Sequence, residues 1–161
     1  MATSKFSFTV KASPEVVLKV LTDPEYNAEN FKVQGNPDAK CKVTTKTDTR
    51  LELDAEVTEY AKGITGVDKS KTEITHTRYV WDLKAMKATW TYQSSHGTTI
   101  KVSGTDQIEP AGGETRVTSV FNIDVKIPLV GGKIEKTVVK EVESYWPKYQ
   151  ALVQKWCQKL A

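Results

Sequence analysis

The stretch Val125-Lys126-Ile127-Pro128-Leu129-Val130-Gly131-Gly132-Lys133-Ile134-Glu135-Lys136 marks a change of period in the chain. Before it, Val117, Phe121, Ile123, Val125 and Ile127 share one parity, the mark of a strand with one buried face. After it, Ile134, Val138, Val142, Tyr145, Tyr149, Leu152, Trp156 and Leu160 recur every three or four residues, the spacing of one helical stripe. Six lysines (133, 136, 140, 148, 155 and 159) fall largely off that stripe. The reading is a half-buried strand, a tight turn through Gly131-Gly132, and one amphipathic helix of about 28 residues. Pro147, near its middle, cannot donate to the carbonyl of Glu143 and predicts a bend that widens the space beneath Val142, Tyr145 and Tyr149.

Upstream of the turn, alternation persists from Ala39 to Ile127. Leu51, Leu53, Ala55 and Val57 alternate with Glu52, Asp54, Glu56 and Thr58, and Met86, Ala88, Trp90 and Tyr92 alternate with Lys87, Thr89, Thr91 and Gln93. Consecutive strands with one apolar and one polar side make an antiparallel sheet with one wet face. Ser95-His96-Gly97 and Pro110-Ala111-Gly112-Gly113 supply turn signals. Between Tyr60 and Lys71 the pattern lapses, which predicts a longer surface connection. At the other end, Phe6, Phe8 and Val10 define a first strand over Ser4 to Lys11. Ser13-Pro14-Glu15 and Asp23-Pro24-Glu25 each open a short helix, with a capping side chain followed by a proline whose missing N–H would be unpaired anyway. Gly35-Asn36-Pro37-Asp38 ends the second, which runs over roughly Glu25 to Val33.

The 161 residues, 39% apolar and 27% charged, fit one domain over residues 1–161 and exclude collagen-like or disordered chains. No apolar run approaches the roughly 20 residues of a membrane-spanning helix, and the polar amino terminus carries no secretory signal. Two cysteines, Cys41 and Cys157, form no disulfide framework and read as free thiols in a cytoplasmic protein. A net charge of +3 is too even to argue for nucleic acid. Nothing in the sequence speaks to oligomeric state.

An apolar sheet face and an apolar helix stripe must each be covered. An α+β arrangement, a curved antiparallel sheet of about seven strands gripping the C-terminal helix, covers both. A closed eight-stranded barrel leaves the helix without a partner. Leu21-Thr22-Asp23-Pro24-Glu25, Tyr79-Val80-Trp81, Gly104-Thr105-Asp106-Gln107-Ile108-Glu109-Pro110 and, above all, Val125 to Lys136 carry a family resemblance. On these residues the chain resembles the START-like helix-grip superfamily of polyketide cyclases, Bet v 1-like plant proteins and lipid-transfer domains. Within it the chain is most similar to an uncharacterised bacterial branch of unknown function. The resemblance covers nearly the whole chain. It implies a deep apolar cavity between sheet and last helix, of the kind that holds lipids, sterols, polyketides or aromatic metabolites, and it implies no reaction.

Parity places Trp81, Trp90, Tyr92 and Phe121 on one side of the sheet, and the helix stripe brings Val142, Tyr145 and Tyr149 toward them. These are the candidate ligand-binding residues; a solid aromatic core is the alternative use of the same side chains. Asp106 shares parity with Ile100, Val102 and Ile108 and is the candidate polar group of the cavity, a strand-end carboxylate reaching solvent being the alternative. His76 points outward by parity with Tyr79 and Trp81, and His96 sits in a turn. Neither joins a nucleophile in a catalytic arrangement. The histidines and cysteines show no metal-ligand spacing, and no cofactor motif is present. Gly131-Gly132-Lys133 lacks the rest of a phosphate loop and is explained by a tight turn into the helix. The sequence therefore predicts a binding module for an apolar small molecule. A cyclase- or hydrolase-type enzyme using the same cavity is the first alternative, and a protein-interaction module with a filled core the second.

Overall fold

The computed structural model describes residues 1–63, 66–94 and 99–161, without the side chains at 62, 63 and 66. Its elements are β1 (Ala2–Val10), α1 (Pro14–Leu21), α2 (Pro24–Val33), β2 (Asp38–Lys46), β3 (Arg50–Gly63), β4 (Gly66–Asp82), β5 (Lys87–Gln93), β6 (Ile100–Ala111), β7 (Glu114–Val125) and α3 (Gly131–Leu160). The caps read from the sequence are in place. The Ser13 hydroxyl accepts from the Val16 N–H at 3.3 Å, and the Asp23 carboxylate accepts from the Glu25 and Tyr26 N–H groups at 2.8 and 3.0 Å.

Seven antiparallel strands lie in the order β1-β7-β6-β5-β4-β3-β2. The ends of that order, β1 and β2, are not paired, so the sheet is open and not a barrel. Register fixes which inward side chains are neighbours. Leu51, Trp81, Ala88, Asp106, Ser119 and Phe6 lie side by side across six strands. One pleat further along come Leu53, Tyr79, Trp90, Gly104, Phe121 and Ser4, then Ala55, Thr77, Tyr92, Val102, Ile123 and Ala2. Gly104 is required by this packing. A Cβ there would stand 2.2 Å from the Val120 carbonyl oxygen and 2.3 Å from the Trp90 ring, so the bare backbone is what lets the indole lie across β6. The β6–β7 hairpin turns through Gly112 and Gly113, with φ +58° and +92°, as its glycine signal requires.

The stretch from Tyr60 to Lys71 is a correction to the sequence reading. β3 and β4 stay paired there, with Ala61 opposite Asp68 and Gly63 opposite Gly66, after a register shift that follows Tyr60 opposite Thr72. Alternation lapses because residues 67–72 are all exposed, so neither side of this part of β4 has to be apolar. Residues 64 and 65 and the turn at Ser95-His96-Gly97 lie outside the described residues.

The helix α3 runs for 30 residues, unbroken through the exposed Pro147. Its start is held against β7 by two features. Gly131 approaches so closely that a Cβ would stand 2.3 Å from the Val125 carbonyl oxygen, and the Glu135 carboxylate accepts from the Val125 N–H at 2.8 Å. That hydrogen bond keeps the Glu135 carboxyl below its ordinary pKa. Farther along, Leu152, Val153, Trp156 and Cys157 are buried, with α1 and β1 packed against this part of the molecule. Phe8 meets Tyr149 edge to face at 5.2 Å, and Tyr26 meets Trp156 likewise at 6.0 Å.

Candidate functional site

Between the concave face of the sheet and the first half of α3 lies a cavity of about 610 Å³. At roughly 30 Å³ per molecule that is room for some twenty waters, and it falls within the usual range of ligand pockets. Along β6 it reaches from Ile100 to Asp106, which pairs with Ser119 of β7. The six steps along β6 from Ile100 to Asp106 span about 20 Å. Every candidate named from the sequence borders it: Trp81, Trp90, Tyr92 and Phe121 from the sheet, Val142, Tyr145 and Tyr149 from the helix, and Asp106 at the inner end. Trp90, Tyr92, Phe121, Val142 and Tyr145 are only half-buried although they stand on the inner faces, which is what side chains facing open space show. The aromatic rings therefore wall a cavity, and do not meet in a filled core. Trp81 and Tyr149, both buried, close its inner end. Tyr79 and Trp90, then Trp90 and Phe121, follow one another at 6.3 and 6.0 Å between ring centres, making a continuous aromatic wall.

Asp106 is buried and does not reach solvent. Ser119 donates to one of its oxygens at 2.5 Å, and the Tyr149 hydroxyl lies 3.1 Å from the Ser119 hydroxyl. Burial pushes the Asp106 carboxyl up to about 6, while the hydrogen bond from Ser119 partly opposes that rise. The hydroxyls of Tyr26, Tyr79 and Tyr149 are driven well above their ordinary pKa, first by burial and then by the negative charges around them, Asp106 among them. At neutral pH the inner end thus carries one carboxylate among neutral phenols.

The sequence from Lys5 to Cys157 matches the model of the family described as "Protein of unknown function (DUF2505)" over residues 5–157. The chain belongs to that family. No protein of curated function matches it significantly. Among solved structures, the Zhui aromatase/cyclase of Streptomyces sp. R1128 superposes with a TM-score of 0.63 at 14% identity, over 98% of this chain and 94% of that one. A START superfamily protein of Mycobacterium smegmatis gives 0.62 at 17% identity, over 99% of both chains. The protein Ara h 8.0201 gives 0.59 at 16%, over 99% and 97%. At such identities the likeness is one of fold, and this DUF2505 member has the START-like helix-grip fold.

Several cavity residues went unnamed in the sequence reading. Glu59 continues the parity of Leu51 to Val57, is buried, and borders the cavity. Thr75 donates to its carboxylate, and the Tyr92 hydroxyl donates to the same oxygen at 2.9 Å. Parity alone pointed to it. From α2 come Tyr26, Asn27, Asn30 and Phe31. Asn27 donates to the Leu21 and Asp23 carbonyls at 3.0 and 2.8 Å, fixing α2 against the end of α1, and Asn30 accepts from the Tyr145 hydroxyl. That helix is mostly polar, so no stripe announced its buried side. Trp146 is buried one position off the stripe and stacks on Phe6 at 5.3 Å.

His76, Cys41 and Cys157 stay apart from the cavity. His76 faces outward, with its Nδ1 3.3 Å from the Asp54 carboxylate, and His96 lies outside the described residues. The thiols of Cys41 and Cys157 are pushed up to about 12 and about 11 by burial, which leaves both unreactive at neutral pH. Among the described residues no three His, Cys, Asp or Glu side chains gather where a metal ion would need them, and no helix is long and apolar enough to cross a membrane.

Proposed function

We propose that this protein binds an apolar small molecule, such as a lipid, a sterol or an aromatic metabolite, in the cavity between the sheet and α3, for transport, storage or sensing. The observation that carries the proposal is the cavity itself. About 610 Å³ is walled by Trp81, Trp90, Tyr92, Phe121, Val142, Tyr145 and Tyr149. Apolar walls with a few fixed hydroxyls suit a flat or elongated ligand that gains by leaving water. The likeness of fold to START and aromatase/cyclase proteins supports the same reading.

A second reading rests on Asp106. A carboxyl at the cavity's inner end with a pKa near 6 is poised for proton transfer at neutral pH, as a cyclase- or hydrolase-type reaction would need. Binding is the reading preferred, because among the described residues the nucleophile hydrogen-bonded to that carboxyl is Ser119, whose hydroxyl is already held between Asp106 and Tyr149.

Native mass spectrometry of the protein purified from cells, followed by organic extraction, tests the proposal. The expected result is a mass increment that leaves with the solvent and proves to be an apolar compound. If no increment is found, and fatty acids, sterols and aromatic polyketides all fail to bind the extracted protein, the binding reading is wrong.

A further inference from the structure

The inner end of the cavity has a specific hydrogen-bonding pattern. Asp106 is more than nine-tenths buried and borders the cavity. One carboxylate oxygen accepts from Ser119, and the other makes no hydrogen bond among the described residues. Tyr79 stands on β4, two strands across and one pleat further along, borders the same space, and its hydroxyl has no hydrogen-bond partner among the described residues. The Tyr26 hydroxyl and the Trp81 indole N–H, both fully buried and both on residues bordering the cavity, are likewise without partners. Buried polar groups are almost always hydrogen-bonded, so these two orphaned donors, with the Asp106 oxygen and the Tyr79 hydroxyl left open beside them, point to something that completes the inner end.

What completes them can be read from the donor and acceptor inventory. A carboxylate oxygen only accepts. A phenol and an indole N–H both donate. The complement must donate in one direction and accept in another. A hydroxyl does both; a carbonyl or an ether only accepts, and an ammonium only donates. The other titratable groups facing Asp106, Tyr145 and Tyr149 from α3 and Tyr26 from α2, are phenols held neutral by burial, so among the described residues no cation pairs with the carboxylate.

We infer that the inner end is a hydroxyl-binding subsite, where Asp106 accepts a hydrogen bond from the ligand's hydroxyl and the Tyr79 hydroxyl donates one to it. The inference rests on the proposed binding function and narrows it. The ligand is a fused-ring or elongated apolar body with an alcohol or phenol at one end, and that end enters first.

Three probes on one ring system test this: fluorene, 2-hydroxyfluorene and 2-methoxyfluorene, titrated against the 161-residue chain by tryptophan fluorescence and calorimetry. The hydroxyl compound is expected to bind about tenfold more tightly than either of the others, as one charge-assisted hydrogen bond allows. Asp106→Ala should reduce that preference to less than threefold. Tyr79→Phe, which removes a single oxygen and keeps the ring, should reduce it in the same direction and provides the test should Asp106→Ala not fold. If the three probes bind the wild-type protein equally, the subsite is overturned while the cavity reading stands. A tenfold preference that survives both substitutions also overturns it. If none of the three binds, the subsite for a fused-ring alcohol or phenol is overturned, and the cavity reading is decided by the extraction experiment above.

Discussion

The two halves of α3 carry the same apolar stripe and put it to different uses. In the second half, Leu152, Val153, Trp156 and Cys157 are at most 7% exposed. In the first half, Ile134, Val138 and Val142 occupy equivalent positions, border the cavity and stay half-buried. Tyr149 sits where one regime passes into the other, hydrogen-bonded toward Asp106 on one side and packed on Phe8 on the other. The difference teaches that helical periodicity reports which face is apolar, and not whether that face meets side chains or space. What meets it is decided by the sheet, whose curvature brings β1 and α1 against the second half and leaves the first half facing Trp90 and Phe121 across the cavity.

The largest effect expected from this contrast is on stability. Trp156→Ala removes a buried indole whose N–H donates to Glu29 at 2.5 Å, and should cost about 3–5 kcal/mol. Ile134→Ala removes atoms that already face space and should cost less than about 1.5 kcal/mol. Chemical denaturation of both variants checks this, and comparable losses would show that the first half of the helix is packed as tightly as the second.

A change of nearly the same size should depend on pH. The Asp106 carboxyl has a folded pKa of about 6, against about 3.9 for an unfolded aspartate. With the folded value raised, the neutral carboxyl favours the folded state. That contribution is complete below about pH 4 and is lost as pH rises through 6. A shift of about two units corresponds to about 3 kcal/mol. Asp106→Asn cannot ionise, so it should be more stable than wild type at pH 8 by up to that amount, with no such advantage at pH 4. An advantage equal at both pH values would mean that the Asp106 carboxyl titrates alike in the folded and the unfolded chain.

A smaller effect is expected at Gly104, where the sheet leaves room for the wall of the cavity. Gly104→Ala must displace either the Val120 backbone or the Trp90 ring, at about 1–3 kcal/mol. Because the indole is the softer neighbour, tryptophan emission should change as well. A stable variant with unaltered fluorescence would place Trp90 elsewhere.

Much of this architecture could be read from alternation alone. The parity of Trp81, Trp90, Tyr92 and Phe121, and the stripe through Val142, Tyr145 and Tyr149, placed both walls of the cavity, and parity also turned Asp106 inward. Glu59 carried the same signal. It stood at the end of the series Leu51 to Val57 where glutamates read as wet, and its burial comes from Thr75 and Tyr92, whose reach only the folded sheet reveals. The buried side of α2 was illegible for a different reason. Asn27 and Asn30 are buried to hold backbone and hydroxyl partners rather than to leave water, so no hydropathy pattern marks them. The β3–β4 extension escaped because backbone pairing imposes no alternation when side chains on both sides are exposed.

Thermal unfolding with a saturating apolar ligand tests the central claim most directly. A ligand that binds only the folded form, at about 100 times its dissociation constant, stabilises by about 2.7 kcal/mol. For a chain of this length that is a rise in melting temperature of about 5–11 °C. The account predicts such a rise with at least one lipid, sterol or aromatic polyketide, accompanied by a change in tryptophan fluorescence that Trp90→Ala diminishes. A melting temperature that stays constant across all three classes, with fluorescence unmoved, would contradict it.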